Sequence, residues 1–249
     1  MKNIKFLICF LMVVYAFLNN YFTNFLGSFY TFYINPLIWF FLFLICFFNF
    51  RRRTYIKKGI FENIIIASLF YLIIYYLLGL IFGYVKSPYS HNLISIFKNA
   101  IAFLLTVIFE EYVRCFLVSR SGKFYHYFFY IFLFSFIQLD VHSIDFQVIF
   151  SSIIPIIVRN WLLVYIAFNL GYKCCLVYRM PIIISYLLFP VFPSLSWFVE
   201  ASIDLIYSFI VFSIVYRFNY RTRKRRNKPI GMIFFIIILI LIVCFVDGI

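Results

Sequence analysis

Apolar residues run for about twenty positions at a time along this chain, and short clusters of polar and charged residues separate the runs. A helix of roughly twenty residues spans the ~30 Å hydrocarbon core of a bilayer. The alternation predicts nine transmembrane helices, at 4–22, 29–50, 62–84, 97–118, 124–141, 146–170, 174–195, 198–216 and 230–247. The first run, flanked by lysines, has the length of a signal peptide. No small-x-small cleavage site follows it and YFTNFLGSFY leads directly into the second run, so it reads as a helix. Pro155, Pro181, Pro190 and Pro193 break or bend the later helices; in YRMPIIISYLLFPVFPSLSW they predict a broken or half-length seventh span. The two glycines of GLIFGY (79–84) lie in an apolar run and predict close helix packing rather than a nucleotide loop.

Composition narrows the class further. With 66% hydrophobic and 12% charged residues, the chain lies outside the range of soluble globular domains. The expected fold class is all-α: a polytopic α-helical membrane protein in which residues 1–249 form a single integral domain. The six cysteines lie in or beside apolar runs, with no CxxC or Cys/His spacing. They read as small buried hydrophobes, and neither zinc, another metal, a cofactor nor a disulfide framework is expected.

The net charge of +14 is concentrated between the runs, in RRRTYIKK (51–58) and RFNYRTRKRRNK (217–228). Nine spans place both clusters on one side, which the positive-inside rule makes the cytoplasm of a bacterial cell. The expected topology has the N-terminus inside the cytoplasmic membrane and the C-terminus outside, with the loops near Arg120/Lys123 and Lys173/Arg179 also inside. Anionic lipid headgroups are the expected partners of these clusters, and nucleic acid is not.

Few ionisable residues lie deep in the spans: Glu110, Glu111 and Arg114 on the fourth, and Arg159 on the sixth. Each is costly in a membrane unless paired or facing water. Glu110 and Arg159 both lie about twelve residues, roughly 18 Å, from the outer ends of their helices, so they can meet. Glu110 and Arg114 are one helical turn apart, whereas Glu111 points about 100° round and takes Arg159 as its predicted partner. Asn160 and Gln138 are the predicted hydrogen-bond partners of this intramembrane ion-pair network.

EEYVRCFL resembles the first motif, EExxxR, of the CAAX-protease and bacteriocin-processing (CPBP) intramembrane proteases. That resemblance implies a CPBP-like bundle with a membrane peptidase site, in which Glu110 or Glu111 activates a water and His142 is the second-motif histidine. The spacing here is EExxR, which turns Arg114 about 100° relative to the family arrangement. The FxxxH motif reads QLDVH (138–142), and Ser185 or Tyr186 stands where a later histidine is expected. Depth counting puts His142 about nine residues, roughly 13 Å, further out than Glu110.

The series YLIIYYLLGLIFGYVKSPYSH (71–91), EEYVR (110–114), SSIIPIIVRN (151–160), LGYKCCLVYRMP (170–181) and FPSLSWF (192–198), followed by a basic loop and a last span, resembles the N-terminal membrane region of bacterial type I signal peptidase-like proteins. The similarity covers about residues 55–249. It implies a membrane module that anchors or assists protein processing, with a signal peptidase or secretion component as partner, and without the family's Ser-Met nucleophile and lysine base. Catalysis by this chain alone is not expected from it. A small transporter or lipid-handling protein, with the Glu/Arg network on a pathway through the membrane, is the third reading.

Overall fold

A computed structural model describes residues 2–49, 58–119, 124–139 and 145–222. Its helices are α1 (Lys2–Leu26), α2 (Asn35–Asn49), α3 (Lys58–Phe82), α4 (Leu93–Val118), α5 (Phe124–Gln138), α6 (Phe146–Val148), α7 (Ile154–Asn169), α8 (Tyr172–Leu188) and α9 (Trp197–Thr222). Two π-helical turns, Tyr30–Ile34 and Ile149–Ile153, lead into α2 and α7 with helical dihedrals at both ends. The α6 turn therefore continues into α7, and eight long helical rods stand among the described residues. Nine were predicted. The ninth, 230–247, falls outside the described residues, as do all of the first basic cluster but Lys58 and residues 223–228 of the second.

The rods follow the apolar runs closely, because burying apolar side chains in lipid or in each other is the dominant constraint on such a chain. Five helical stretches are long and apolar enough to cross a membrane: Tyr30–Asn49, Gly59–Phe82, Leu93–Val118, Ile149–Asn169 and Trp197–Phe218. One face of α3 displays Ile66, Leu69, Phe70, Ile73, Ile74, Leu77, Leu80 and Ile81 outward. In water such a face would be an aggregation surface, whereas lipid solvates it. The chain is a helical membrane protein.

The core is organised around α4, which packs against α2, α5, α7 and α8, while α3 and α9 close the far side of α8 and α7. The end of α4 is buried all round, with Val113, Cys115, Phe116, Leu117 and Val118 among its neighbours' side chains. Lys5 on α1 donates to the carbonyl of Leu117 at 2.7 Å and to that of Ser119. It thus satisfies carbonyls that the end of α4 leaves without helical donors.

The seventh predicted span, 174–195, is a shorter helix. It ends at Leu188, and Pro181 lies within it without breaking it. A proline ring disturbs the carbonyls one turn back, and the Tyr207 hydroxyl donates to the carbonyl of Tyr178 there at 3.2 Å. Beyond it, β2 (Val191–Pro193) pairs antiparallel with β1 (Tyr84–Lys86), Val85 opposite Phe192. Two flanking bonds, Ser87 N–H to Pro190 and Ser194 N–H to Gly83, extend this ladder. Strands of three residues carry no periodic signal; β1 falls at the end of the third predicted span and the loop after it, and β2 inside the seventh predicted span.

The glycines before β1 act differently from the helix-packing role predicted for them. Gly83 turns the chain out of α3 with φ of 91°, in the region L side chains avoid. Gly79 leaves room for the Tyr84 ring, with which a Cβ would clash. Gly83→Ala is expected to lower stability by about 1–2 kcal/mol through backbone strain. Thermal unfolding in detergent measures it, and Gly83→Asn should lose less.

Candidate functional site

The polar residues of FEEYVRCFL converge with residues of three other helices. Glu110, Glu111 and Arg114 project from the last third of α4, Gln138 ends α5, Arg159 and Asn160 lie on α7, and Arg179 lies on α8. Glu111 and Arg114 are fully buried and Glu110 is 5% exposed. Charges at this depth persist only with close partners.

The two arginines supply them. Arg114 Nη2 donates to Glu110 Oε1 at 2.8 Å, and its Nε lies 3.0 Å from Glu111 Oε2. The second contact is an ion pair without hydrogen-bond alignment. Arg179 Nη1 bridges the glutamates, donating to Glu110 Oε2 at 2.6 Å and to Glu111 Oε1 at 2.5 Å. Two carboxylates and two guanidiniums make this quartet neutral.

Amides complete the shell. Gln138 Nε2 donates to Glu110 Oε1 at 2.6 Å, and Arg114 Nη1 donates to Asn160 Oδ1 at 2.8 Å. Asn160 Nδ2 in turn donates to Gln138 Oε1 at 3.0 Å and to the carbonyl of Ile156 at 3.0 Å. Below them, the Arg114 guanidinium lies 3.9 Å from the centre of the Phe134 ring, which is itself stacked on Trp39. The face of the ring stabilises the cation where no water reaches it. The network ties α4 to α5, α7 and α8 at one level of the bundle.

Four predicted partners are present: Glu110 with Arg114, and both Gln138 and Asn160 on the network. The predicted partner of Glu111 is corrected. Arg159 does not reach it; its Nη2 donates instead to Gln138 Oε1 at 3.3 Å. Glu111 pairs with Arg114 after all, because residues three apart on a helix also share a face and a guanidinium can straddle two carboxylates. Its other partner is Arg179, which was assigned to a cytoplasmic loop. Arg179 is seven residues, roughly 10 Å, inside α8.

The histidines are dispersed. His91 Nε2 is 2.9 Å from the carbonyl of Phe189, beside the β pair, and His126 is in the first turn of α5, twelve residues from Gln138. His142 falls outside the described residues, so Glu110 and Glu111 have no histidine neighbour among those described. The depth offset counted for His142 likewise lies outside the described residues. Gln138 touches Glu110, so α5, only about 22 Å long, ends level with the glutamates rather than well beyond them.

No group of three or more His, Cys, Asp or Glu side chains able to hold a metal ion is present among the described residues. What the arrangement can do chemically follows from how the two carboxylates are engaged. A general base needs a carboxylate oxygen free to accept a proton from water. Each of the four oxygens of Glu110 and Glu111 is ion-paired with an arginine, and one accepts from Gln138 as well, while Glu111 Oε2 accepts no hydrogen bond. No family profile, curated protein or solved structure matches the chain.

Proposed function

We propose that the chain is a non-catalytic membrane module that anchors or assists protein processing, with its buried Glu/Arg quartet and the amides of Gln138 and Asn160 as the lock that sets the positions of four helices. The observation that carries this reading is the occupation of all four carboxylate oxygens by arginines. The link to processing rests on the resemblance of residues 55–249 to the membrane region of bacterial type I signal peptidase-like proteins. In this reading the N-terminus and the basic clusters face the cytoplasm, bound to anionic headgroups. A signal peptidase or secretion component is the partner.

One observation favours a CPBP-type peptidase as the second reading: Glu110 and Glu111 do converge with polar residues of later helices, Gln138 and Asn160. Catalysis there would require Arg114 or Arg179 to release a carboxylate when substrate enters. Glu111→Gln separates the two. In the module, the substitution lowers the amount of folded chain in the membrane, and a processing or secretion component co-purifies with the wild type. Cleavage of a membrane substrate by the purified chain, abolished in Glu111→Gln at unchanged abundance, would establish the peptidase instead.

A further inference from the structure

Lipid tails offer a hydroxyl no partner, so a buried serine on a membrane helix bonds within the protein or leaves its hydroxyl unsatisfied. Of the five buried serines among the described residues, four are bonded. Ser68, Ser119 and Ser185 donate to carbonyls three or four residues back, and the Ser208 hydroxyl is 3.0 Å from that of Tyr178. Ser135 on α5 is the exception: it is 2% exposed, and its hydroxyl has no hydrogen-bond partner. A buried donor left unmade costs more than an ordinary hydrogen bond contributes.

The hydroxyl is not walled in. Ser135 lines a groove of about 410 Å³ between α1, α5 and α7. Val13 and Phe17 of α1 line one side, Phe129, Phe132 and Phe136 of α5 the other, and Ile157 of α7 adjoins them. The four phenylalanines are exposed, so the groove opens to the outside of the bundle. A second groove, of about 400 Å³ between α1 and α2, is equally apolar, but its one polar side chain, Tyr15, already donates to Asn35 Oδ1 at 2.7 Å. Lipid tails suffice to fill that one. They leave the first unsatisfied: Ser135 is eleven residues, roughly 16 Å, from the start of α5, at a depth where tails carry no polar atom.

We infer that the groove over Ser135 is the docking site of a transmembrane helix from a partner protein, one that carries a hydrogen-bonding side chain such as asparagine at the level of the serine. Phe129, Phe132 and Phe136 recur at i, i+3 and i+7, the spacing into which the side-chain ridge of a second helix interlocks. The serine hydroxyl can donate or accept, so an amide side chain satisfies it as the apolar sides pack. A second copy of this chain does not fit through the same face, because two concave grooves cannot fill each other across a two-fold axis. The inference holds for any membrane-spanning partner, whether or not that partner serves processing.

The test uses the purified full chain in phosphatidylcholine vesicles and two synthetic Lys-flanked leucine helices, one with asparagine at its centre and one with leucine there. Energy transfer from a donor on the peptide to an acceptor on the N-terminus of the chain reports binding. The wild type is expected to bind the asparagine peptide about threefold more tightly, the fold-change of an average side-chain hydrogen bond between membrane helices. Ser135→Ala abolishes the difference while binding the leucine peptide as before, and Ser135→Thr, which keeps a hydroxyl, retains it. Leu18→Ala, in the neighbouring groove, changes neither affinity. Because the hydroxyl bonds nothing in the free chain, Ser135→Ala also unfolds no earlier than the wild type in detergent. Equal binding of the two peptides by the wild type, or binding of neither, would overturn the proposal; equal binding is the result if the hydroxyl turns to the Ile131 carbonyl of its own helix. So would earlier unfolding of Ser135→Ala, which would make the hydroxyl structural. Displacement of the asparagine peptide by decylubiquinone would also overturn it, by making a small carbonyl compound the occupant.

Discussion

Arg179→Gln is expected to destabilise the folded chain by about 3–5 kcal/mol, the cost of leaving a buried charge without its partner. Arg179 Nη1 is the one donor that touches both glutamates, at 2.6 and 2.5 Å. Without it, two carboxylates a helical step apart share only the Arg114 guanidinium, in a place water does not reach. Their mutual repulsion then acts at low effective dielectric, where it is strongest. Detergent-titrated unfolding of the purified chain reads the loss, and its amount in the membrane should fall with it. Arg179→Lys keeps the charge but one compact head cannot reproduce the planar fork, so an intermediate loss is expected. A surface ion pair would behave differently, with a median contribution of only about 0–1 kcal/mol.

Phe134→Ala is the second large effect, about 3–5 kcal/mol, because it opens a cavity at a fully buried position. The position is more than packing. Phe134 supports the Arg114 guanidinium at 3.9 Å and stacks on Trp39 of α2, so its ring couples the charge network to the apolar core between α2, α4 and α5. Phe134→Leu restores most of the volume but not the π face. It should recover most of the lost stability and leave a deficit of about 0.5–2 kcal/mol, the range of a cation–π contact. The same unfolding titration reads both variants, and full recovery by leucine would show that the ring contributes by volume alone.

Arg179 marks where the sequence stopped being legible. Helix positions were readable from apolar run length because lipid imposes that length on every span. Glu110, Glu111, Arg114, Asn160 and Gln138 were readable as one cluster because polar residues deep in apolar helices must find each other. Arg179 was missed because the positive-inside rule draws any arginine near a helix end into a loop. A signal for it existed. Glu111 lies seven residues before the end of α4 and Arg179 seven residues after the start of α8, and those two ends are on the same side of the bundle. Counting depth from that shared side places them level.

Arg159 failed for the converse reason. Counted from the other side, its depth matches that of Glu110, but apolar run length predicts a fifth span that continues to 141. It stops at Gln138, level with the glutamates, and Gln138 takes the hydrogen bond of Arg159. The β pair was illegible in principle. Val85 and Phe192 are more than a hundred residues apart in sequence, and nothing local to either announces the other.

The lock itself is tested most directly by a double-mutant cycle between Glu111 and Arg179, measured as unfolding free energy. Each single change to glutamine unbalances the quartet, whereas the double variant restores its neutrality. The double variant is therefore predicted to be more stable than Arg179→Gln alone, with a coupling of about 1.5 kcal/mol or more. Additive losses, with the double variant less stable than either single one, would contradict a neutral buried lock.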